Sequence, residues 1–230
     1  MKKRLSILLL TIVSALHAQE VLLERDPAAD TTQETYGPNR RNFVQGFIGG
    51  GTVVGPKNTG ARLKPLGNYN LVYGLRYKLR FSDYYAIGFE GSVSNLTCNM
   101  RQEAGKFLPD TVMHKKQRLN WMFLNIGFFN RINFSKRGNI IGNYIDLGIM
   151  GSYCPSFVHF TMDRTDDGRT LRTRERGLDY FTIYNYAVFA RVGFNRTAIM
   201  ASYRMSSLFK SQYAYPNIAP VSITVEISMY

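Results

Sequence analysis

Residues 69–81 read YNLVYGLRYKLRF and alternate between apolar and polar side chains almost without interruption. Leucine, tyrosine or phenylalanine holds every odd position, whereas the even positions include Arg76, Lys78 and Arg80. Because successive side chains of a strand point to opposite faces, the stretch predicts a β-strand with one apolar and one cationic face. Two environments fit such a strand. Either the apolar face covers a soluble core, or it faces lipid and the cations lie inside a barrel.

The same period-two alternation recurs along the chain and predicts about eight strands. The fourth stretch changes phase near Phe123, and one inserted residue, a β-bulge, would produce this change. Beyond residue 18 there is no apolar run of the roughly 20 residues that a transmembrane helix requires. The predicted strands span residues 43–54, 69–81, 84–96, 118–134, 140–153, 178–194, 197–206 and 221–230.

The connections between these strands alternate strictly between long and short, which places all the long ones at one end of the sheet. Transmembrane barrels have this anatomy, whereas a soluble lipocalin-like barrel, the alternative, does not require it. We therefore predict an all-β fold, a closed antiparallel up-and-down transmembrane β-barrel of about eight strands over residues 43–230. The long connections are 55–68, 97–117, 154–177 and 207–219, and the short ones are 82–83, 135–139 and 195–196.

The N-terminus has the composition of a cleavable signal peptide. Three cations and an apolar run precede small residues that end at Ala18. We place the cleavage after Ala18, with Ala15 as the alternative, so residues 1–18 are the predicted signal peptide. Residues 19–42 are polar without periodicity and are interpreted as a flexible periplasmic leader. Export of a predicted barrel indicates the outer membrane of a Gram-negative bacterium.

The polar faces of the predicted strands are rich in small residues and carry few charges. This composition suits the lumen of an eight-strand barrel, which is only just filled by its own side chains. Because an isolated ion is costly inside a protein, we expect the charges on these faces to pair with one another. The predicted lumen network consists of Arg76, Lys78, Arg80, Glu90, Asp146, Arg191, Arg204 and Glu226.

The apolar faces carry tyrosines near the strand ends, where a soluble core would more often use aliphatic side chains. Aromatic girdles mark the two interfaces of a membrane, so these tyrosines favour the transmembrane interpretation. The predicted girdle residues are Tyr73, Tyr85, Tyr153, Tyr180, Tyr184 and Tyr203.

The long connections are basic, and the third is the most basic. For an exported protein the phosphates of lipopolysaccharide are a nearer anion than nucleic acid, and guanidinium groups match phosphate well. The predicted partners are outer-membrane lipid, lipopolysaccharide and surface or secretion proteins, and no nucleic acid. The alternative is a solvated loop whose own acids offset part of the charge. The predicted anion-contacting residues are Arg164, Arg169, Arg172, Arg174 and Arg176.

Residues with reactive side chains are sparse. His159 lies near Thr161 and Asp163, and a lipid-modifying site at the rim would need such a base beside a nucleophile. We expect a solvated rim histidine instead, and we predict no catalytic residue, metal site or cofactor. Cys98 and Cys154 fall at the outer ends of predicted strands, where they either pair or remain as inert thiols.

The signal peptide, the eight alternating strands, the sorted connections and the terminal aromatic residue resemble the small outer-membrane β-barrel proteins of Gram-negative bacteria, with the OmpA/OmpX-type fold. The Gly-rich first strand and the ending YRMSSLF…APVSITVEISMY resemble the Bacteroidetes branch, in which PorT-like barrels serve type IX secretion. Tyr230 departs from the usual pattern. It falls on the polar parity of Glu226, while Met229 continues the apolar row.

The predicted function is a structural or interaction role for a barrel with a narrow, plugged lumen, and not a general porin. The resemblance implies one alternative, an accessory barrel of type IX-like secretion machinery. Two further alternatives stay open: a surface barrel whose basic loops contact lipopolysaccharide or host ligands, and a soluble periplasmic ligand binder. An enzyme is not expected.

Overall fold

The computed structural model describes residues 36–55, 61–64, 66–134, 138–165 and 167–230. The predicted signal peptide and the predicted leader up to residue 35 lie outside the described residues. Within the described part no helix is long and apolar enough to cross a membrane. Apart from the short 3-10 turn Ser211–Tyr213, the regular structure there is β-strand.

Nine antiparallel strands make up the fold of the described residues. They are β1 (Asn42–Val54), β2 (Tyr69–Arg80), β3 (Tyr85–Met100), β4 (Lys116–Phe134), β5 (Asn143–Arg164), β6 (Thr170–Arg176), β7 (Tyr184–Phe194), β8 (Thr197–Arg204) and β9 (Val221–Met229). Eight of them form a ring in the order β1-β2-β3-β4-β5-β7-β8-β9, and β9 pairs back with β1. The ring confirms the predicted all-β, antiparallel up-and-down barrel.

Short connections lie at one end of the barrel, which we call the short-turn end. They comprise residues 81–84, 135–142 and 195–196. The described end of the predicted leader, residues 36–42, also lies there, because the Asn39 backbone N–H donates to the side chain of Asn139.

The opposite end, which we call the loop end, contains more strand than predicted. β3 and β5 continue to Met100 and Arg164, and β4 begins at Lys116. The predicted connection 154–177 is therefore mostly a hairpin, in which the upper part of β5 pairs with β6.

Side chains alternate between the lumen and the exterior. In β7 the alternation is complete, since the odd residues from Asn185 to Gly193 are buried and the even residues from Tyr184 to Phe194 are exposed. Strands β1, β2 and β9 alternate in the same way, with apolar side chains outside; the inward side chains of β2 and β9 are mostly polar or small, whereas β1 also buries Phe43 and Phe47. The barrel is therefore apolar on its outer wall and polar over much of its interior.

The β-bulge lies on β5, whereas the sequence predicted it on β4. β4 buries its odd residues without interruption, but the inward parity of β5 changes from even at Cys154 to odd at Phe157. The register between the two strands shifts between Met122 and Leu124 of β4. Pro155, which has no N–H to donate to the ladder, lies on β5 at this irregularity.

The phase change in the sequence of β4 reflects a change in the contents of the lumen. Near the loop end the inward side chains of β4 are apolar, as at Leu119 and Trp121. Nearer the short-turn end most of them are polar, as at Asn125 and Arg131, although Phe129 is also inward there. The apolar residues of β4 therefore lie mostly on its inward face near the loop end and mostly on its outward face nearer the short-turn end, while the alternation of buried and exposed residues continues unchanged.

Buried apolar side chains fill the loop end of the barrel, and we call this cluster the loop-end core. Trp121, the single tryptophan, packs there with ring-centroid distances of 5.0 Å to Phe157 and 6.0 Å to Phe209. Cys98 and Cys154 are free buried thiols within it. The core comprises Val53, Ala61, Leu96, Cys98, Met100, Leu108, Leu119, Trp121, Phe123, Cys154, Phe157, Leu208, Phe209, Ile218 and Ala219.

Candidate functional site

Three arginines and three carboxylates meet inside the lumen, between the loop-end core and the short-turn end. Each side chain comes from a different strand and is at most 5% exposed. Their formal charges cancel, so the group as a whole is neutral. We call it the lumen cluster, and it consists of Arg76, Glu90, Arg131, Asp146, Arg191 and Glu226.

Arg191 on β7 contacts all three carboxylates. Its Nη2 donates to Glu90 Oε2 at 2.8 Å, and its Nη1 donates to Asp146 Oδ2 at 2.9 Å. Its Nε lies 2.9 Å from Glu226 Oε2. Arg191 is therefore the centre of the cluster, with one guanidinium bound to side chains from three other strands.

The other two arginines complete the pairing. Arg76 Nε donates to Glu90 Oε2 at 2.9 Å, and Arg76 Nη2 donates to Glu226 Oε2 at 2.8 Å. Arg131 forms a two-pronged pair with Asp146, with N–O distances of 2.7 and 2.9 Å. Charge-assisted bonds of this kind offset the cost of removing the ions from water, which isolated charges could not do.

Strand register places these partners side by side. Arg76 lies directly opposite Glu90 in the β2–β3 pair. Asp146 lies between Arg131 of β4 and Arg191 of β7, opposite both. Directly opposed residues of antiparallel strands share a face at close range, so most of the cluster follows from pairing alone.

Aromatic rings lie against the guanidinium groups of the lumen cluster. Cations over ring faces are attracted by the ring quadrupole, most strongly where water is excluded. The shortest guanidinium-to-centroid distances are 3.6 Å for Arg131–Tyr144, 4.3 Å for Arg76–Phe47 and 4.9 Å for Arg191–Phe189.

Five of the eight predicted lumen residues belong to the cluster, and three do not. Lys78 lies nearer the short-turn end, where its Nζ donates to the backbone carbonyl of Pro38. Arg80 donates there to Asn39 and pairs with Asp83 at 3.2 Å. The side chains of Lys78 and Arg80 lie on the same face of β2 as Arg76, but they lie nearer to the short-turn end than the lumen cluster does.

Arg204 is the third predicted lumen residue outside the cluster. It lies toward the loop end, donates to the carbonyl of Ala219 at 3.1 Å and stacks 5.3 Å from the ring centroid of Phe123. It lines a cavity of about 40 Å³ between the lumen cluster and the loop-end core. Serine and asparagine side chains form much of the cavity wall. This volume suits a few water molecules.

Arg131 is the cluster member that the sequence analysis did not select. The signal was present, because Arg131 has the parity of Asn125 and Asn133, which also face the lumen. Placing a β-bulge in β4 obscured this shared parity.

The outer wall forms an apolar belt around the barrel. Its side chains are strongly exposed, with Ile126 at 75%, Leu75 at 63% and Ile149 at 61%. Five of the six predicted girdle tyrosines point outward from it, but Tyr180 does not. Tyr180 packs against the loop-end core, 5.3 Å from the ring centroid of Phe157.

The predicted anion-contacting residues lie on the β5–β6 hairpin and not on a loop. Arg172, Arg174 and Arg176 occupy alternate positions of β6 and are exposed on a single face. Arg164 ends β5 on the same face, opposite Thr170, and Arg169 lies in the turn between the strands.

His159 is buried, at 6% exposure, and is not the solvated rim histidine that the sequence predicted. Its Nε2 lies 2.9 Å from Gln117 Nε2, and its Nδ1 lies 3.3 Å from Glu175 Oε2. Thr161 shares its face of β5, but the hydrogen bonds of His159 go to other elements. The histidine joins β4, β5 and β6 at the loop end.

Asp110 connects this histidine to the loop between β3 and β4. Gln117 Nε2 donates to Asp110 Oδ2 at 2.8 Å, and Lys106 Nζ donates to Asp110 Oδ1 at 3.1 Å. His114 from the same loop lies 2.7 Å from Asp163 of β5. We call these residues the loop latch: Lys106, Asp110, His114, Gln117, His159, Asp163 and Glu175.

Burial of the latch shifts two pKa values. Burial lowers the pKa of His159 below its ordinary 6.5, against the opposing pull of Glu175 and Asp110. Burial also opposes ionisation of Asp110, but the hydrogen bond and the charge of Lys106 outweigh it, so the pKa of Asp110 is lowered. Near neutral pH the latch therefore contains a neutral His159 and an ionised Asp110.

Among the described residues, no group of three or more His, Cys, Asp or Glu side chains is arranged to hold a metal ion. A scan against models of known protein families gave no match, and neither did a search of curated proteins.

Proposed function

We propose that this protein is an outer-membrane β-barrel with a filled lumen, which acts through its surface and not as a pore. The exposed apolar belt supports this proposal most directly. Soluble proteins rarely expose a continuous apolar patch of more than a few hundred Å², because such surfaces associate in water. A wall with outward Leu75 on β2, Ile126 on β4 and Ile149 on β5 suits hydrocarbon.

The interior supports the second half of the proposal. The lumen cluster ties six strands together through buried ion pairs, and the loop-end core fills the space on one side of it. An eight-strand barrel has little lumen to spare, and here large side chains occupy it. A general porin would need a hydrated path through this region.

Heat-modifiable migration in outer-membrane fractions tests the proposed location. We expect the unheated protein to migrate faster than the boiled form and to be recovered with the outer membrane. Recovery as a soluble periplasmic protein would contradict the proposal and favour the ligand-binding alternative.

A pair of arginine substitutions sharpens this test. Ile126→Arg places a charge in the belt, which costs about 2–4 kcal/mol at the middle of a membrane, so we expect less folded protein in the membrane fraction. Val112→Arg is the control. Val112 is 58% exposed and apolar as well, but it lies in the loop between β3 and β4. Equal behaviour of the two variants would speak against a lipid-facing belt.

A further inference from the structure

We propose that the outer face of the β4–β5–β6 wall binds a phosphorylated glycolipid of the outer leaflet, with arginines on its phosphates and an apolar stripe against its acyl chains. This inference rests on the proposed function, since it places this wall just above the apolar belt. Its test is designed so that the two can fail separately.

Register arranges the outward side chains of the three strands in rows. Across β6, β5 and β4, one row reads Arg172–Met162–Lys116, the next reads Arg174–Phe160–Arg118, and the third reads Arg176–Val158–Asn120. In the first two rows cations therefore flank a central apolar stripe on both sides, and in the third row a cation lies on one side. With Arg164 near the hairpin turn, we call this surface the basic plate.

The spacing within the basic plate suits more than one phosphate. Neighbouring strands lie about 4.8 Å apart, so the Cα atoms of Arg174 and Arg118 are roughly 10 Å apart across β5. Along β6, Arg172 and Arg176 are separated by about 14 Å. Long guanidinium side chains on both sides can converge on phosphates bound over the stripe, each offering two donors to a phosphate.

The basic residues of this wall lie on its outer face, and the acidic residues of its strands lie on the opposite face. In these fully described strand segments, the outward positions carry no Asp or Glu, whereas Asp163 and Glu175 lie on the opposite face. There they contact His114 and His159 of the loop latch. Asp163 and Glu175 therefore do not lie among the cations of the basic plate, and the other two acids of the hairpin, Asp166 and Asp167, come between its two strands in the sequence.

The central stripe distinguishes a lipid from a soluble anion. Val158, Phe160 and Met162 are only half-buried and continue the outward face of β5. On the other side of the β-bulge that face carries Tyr153 and Ile149 of the belt. A ligand with phosphates at the plate and acyl chains running down to the belt would contact both surfaces at once, which a free polyanion would not.

Binding of bis-phosphorylated lipid A to the detergent-solubilised protein, followed by native mass spectrometry, tests the proposal. We expect the variant R172Q/R174Q/R176Q to bind about 100-fold more weakly, because three cations near the lipid phosphates are lost. The control R62Q/R101Q/K210Q removes the same charge elsewhere at the loop end and should bind nearly as the wild type does. An equal loss in both variants would overturn the proposal, because net charge alone would then explain the attraction.

Two further measurements separate the lipid from other anions. Phe160→Ser should weaken lipid A binding while leaving inorganic pyrophosphate binding unchanged, and dephosphorylated lipid A should bind poorly. If Phe160→Ser has no effect and inorganic phosphate displaces the lipid, the surface is a soluble-anion site and the proposal fails. Heat-modifiable migration of each variant shows that the barrel itself is intact, so loss of binding is distinct from loss of the barrel.

Discussion

Aromatic rings in the lumen lie flat on glycines of neighbouring strands. A Cβ added at Gly193 would come within 2.0 Å of Cζ of Tyr144, its cross-strand partner. An added Cβ at Gly88 would meet Phe129 at 2.2 Å, again from a directly opposed position. Each glycine thus makes room for a ring, and the ring in turn supports a guanidinium group.

Gly193→Ala should therefore destabilise the barrel. Tyr144 would have to leave the wall and lose its position beside Arg131, a cost of about 1–3 kcal/mol for overpacking. Urea unfolding in detergent micelles measures the change in the free energy of unfolding. Gly151→Ala is the control, because nothing lies within 4 Å of its Cβ position on the outer wall. Equal stability of the two variants would show that the ring tolerates displacement.

The limits of sequence-based prediction are visible in the same residues. Alternation is local, so it predicted which face Arg76, Glu90 and Arg191 occupy. Height along the barrel depends on which residues of distant strands pair. For this reason Lys78 and Arg80 were grouped with Arg76, although they lie nearer the short-turn end.

Among the strands, β5 has the most complex role. Below its β-bulge it joins β4 and β7 in the ring, and above it joins β4 and β6 in the projecting hairpin. The bulge exchanges the inward and outward parities of the strand. Without that exchange the side chain of His159 would point outward and that of Phe160 would point inward. The β-bulge therefore places His159 in the loop latch and Phe160 on the basic plate.

Acidification should loosen the loop latch before it affects the barrel. Because the pKa of His159 is lowered in the closed state, an open state takes up the proton more readily, and closure loses stability as the pH falls through 6.5. The lowered pKa of Asp110 adds a similar loss only at more acidic pH, below 3.8. Phe157 lies on the same face of β5 as His159 and packs on Trp121.

Fluorescence of Trp121 therefore reports on the latch. We expect its emission to shift to longer wavelength between neutral and mildly acidic pH as the loop end admits water. The variant His159→Gln, which cannot take up the proton, should show a much smaller shift over this range. A shift of the same size in both proteins would place its origin elsewhere.

Taken as a whole, the molecule is held together across its lumen as well as around its wall. The six members of the lumen cluster come from β2, β3, β4, β5, β7 and β9. Such a network stabilises only when complete, because each ion left without a partner keeps its full desolvation cost.

Arg191→Met should consequently cost about 3–5 kcal/mol of unfolding free energy, since it leaves one uncompensated carboxylate in the lumen. The double variant Arg191→Met/Glu226→Gln restores the charge balance, with Arg76 on Glu90 and Arg131 on Asp146, and should regain part of the loss. The temperature at which the fast-migrating form disappears measures both effects. If the double variant is no more stable than the single one, the unpaired carboxylate is not the cause of the lost stability.

The position of Glu226 has a consequence for the order in which the barrel assembles. This carboxylate comes from the C-terminal strand, the one that joins β1 and closes the ring. A sheet containing only the first eight strands would hold three arginines against two acids, Glu90 and Asp146. β9 thus supplies the backbone hydrogen-bond partners that β1 and β8 lack, and with Glu226 it supplies the third negative charge of the lumen cluster. Closing the ring and neutralising the lumen cluster are a single event.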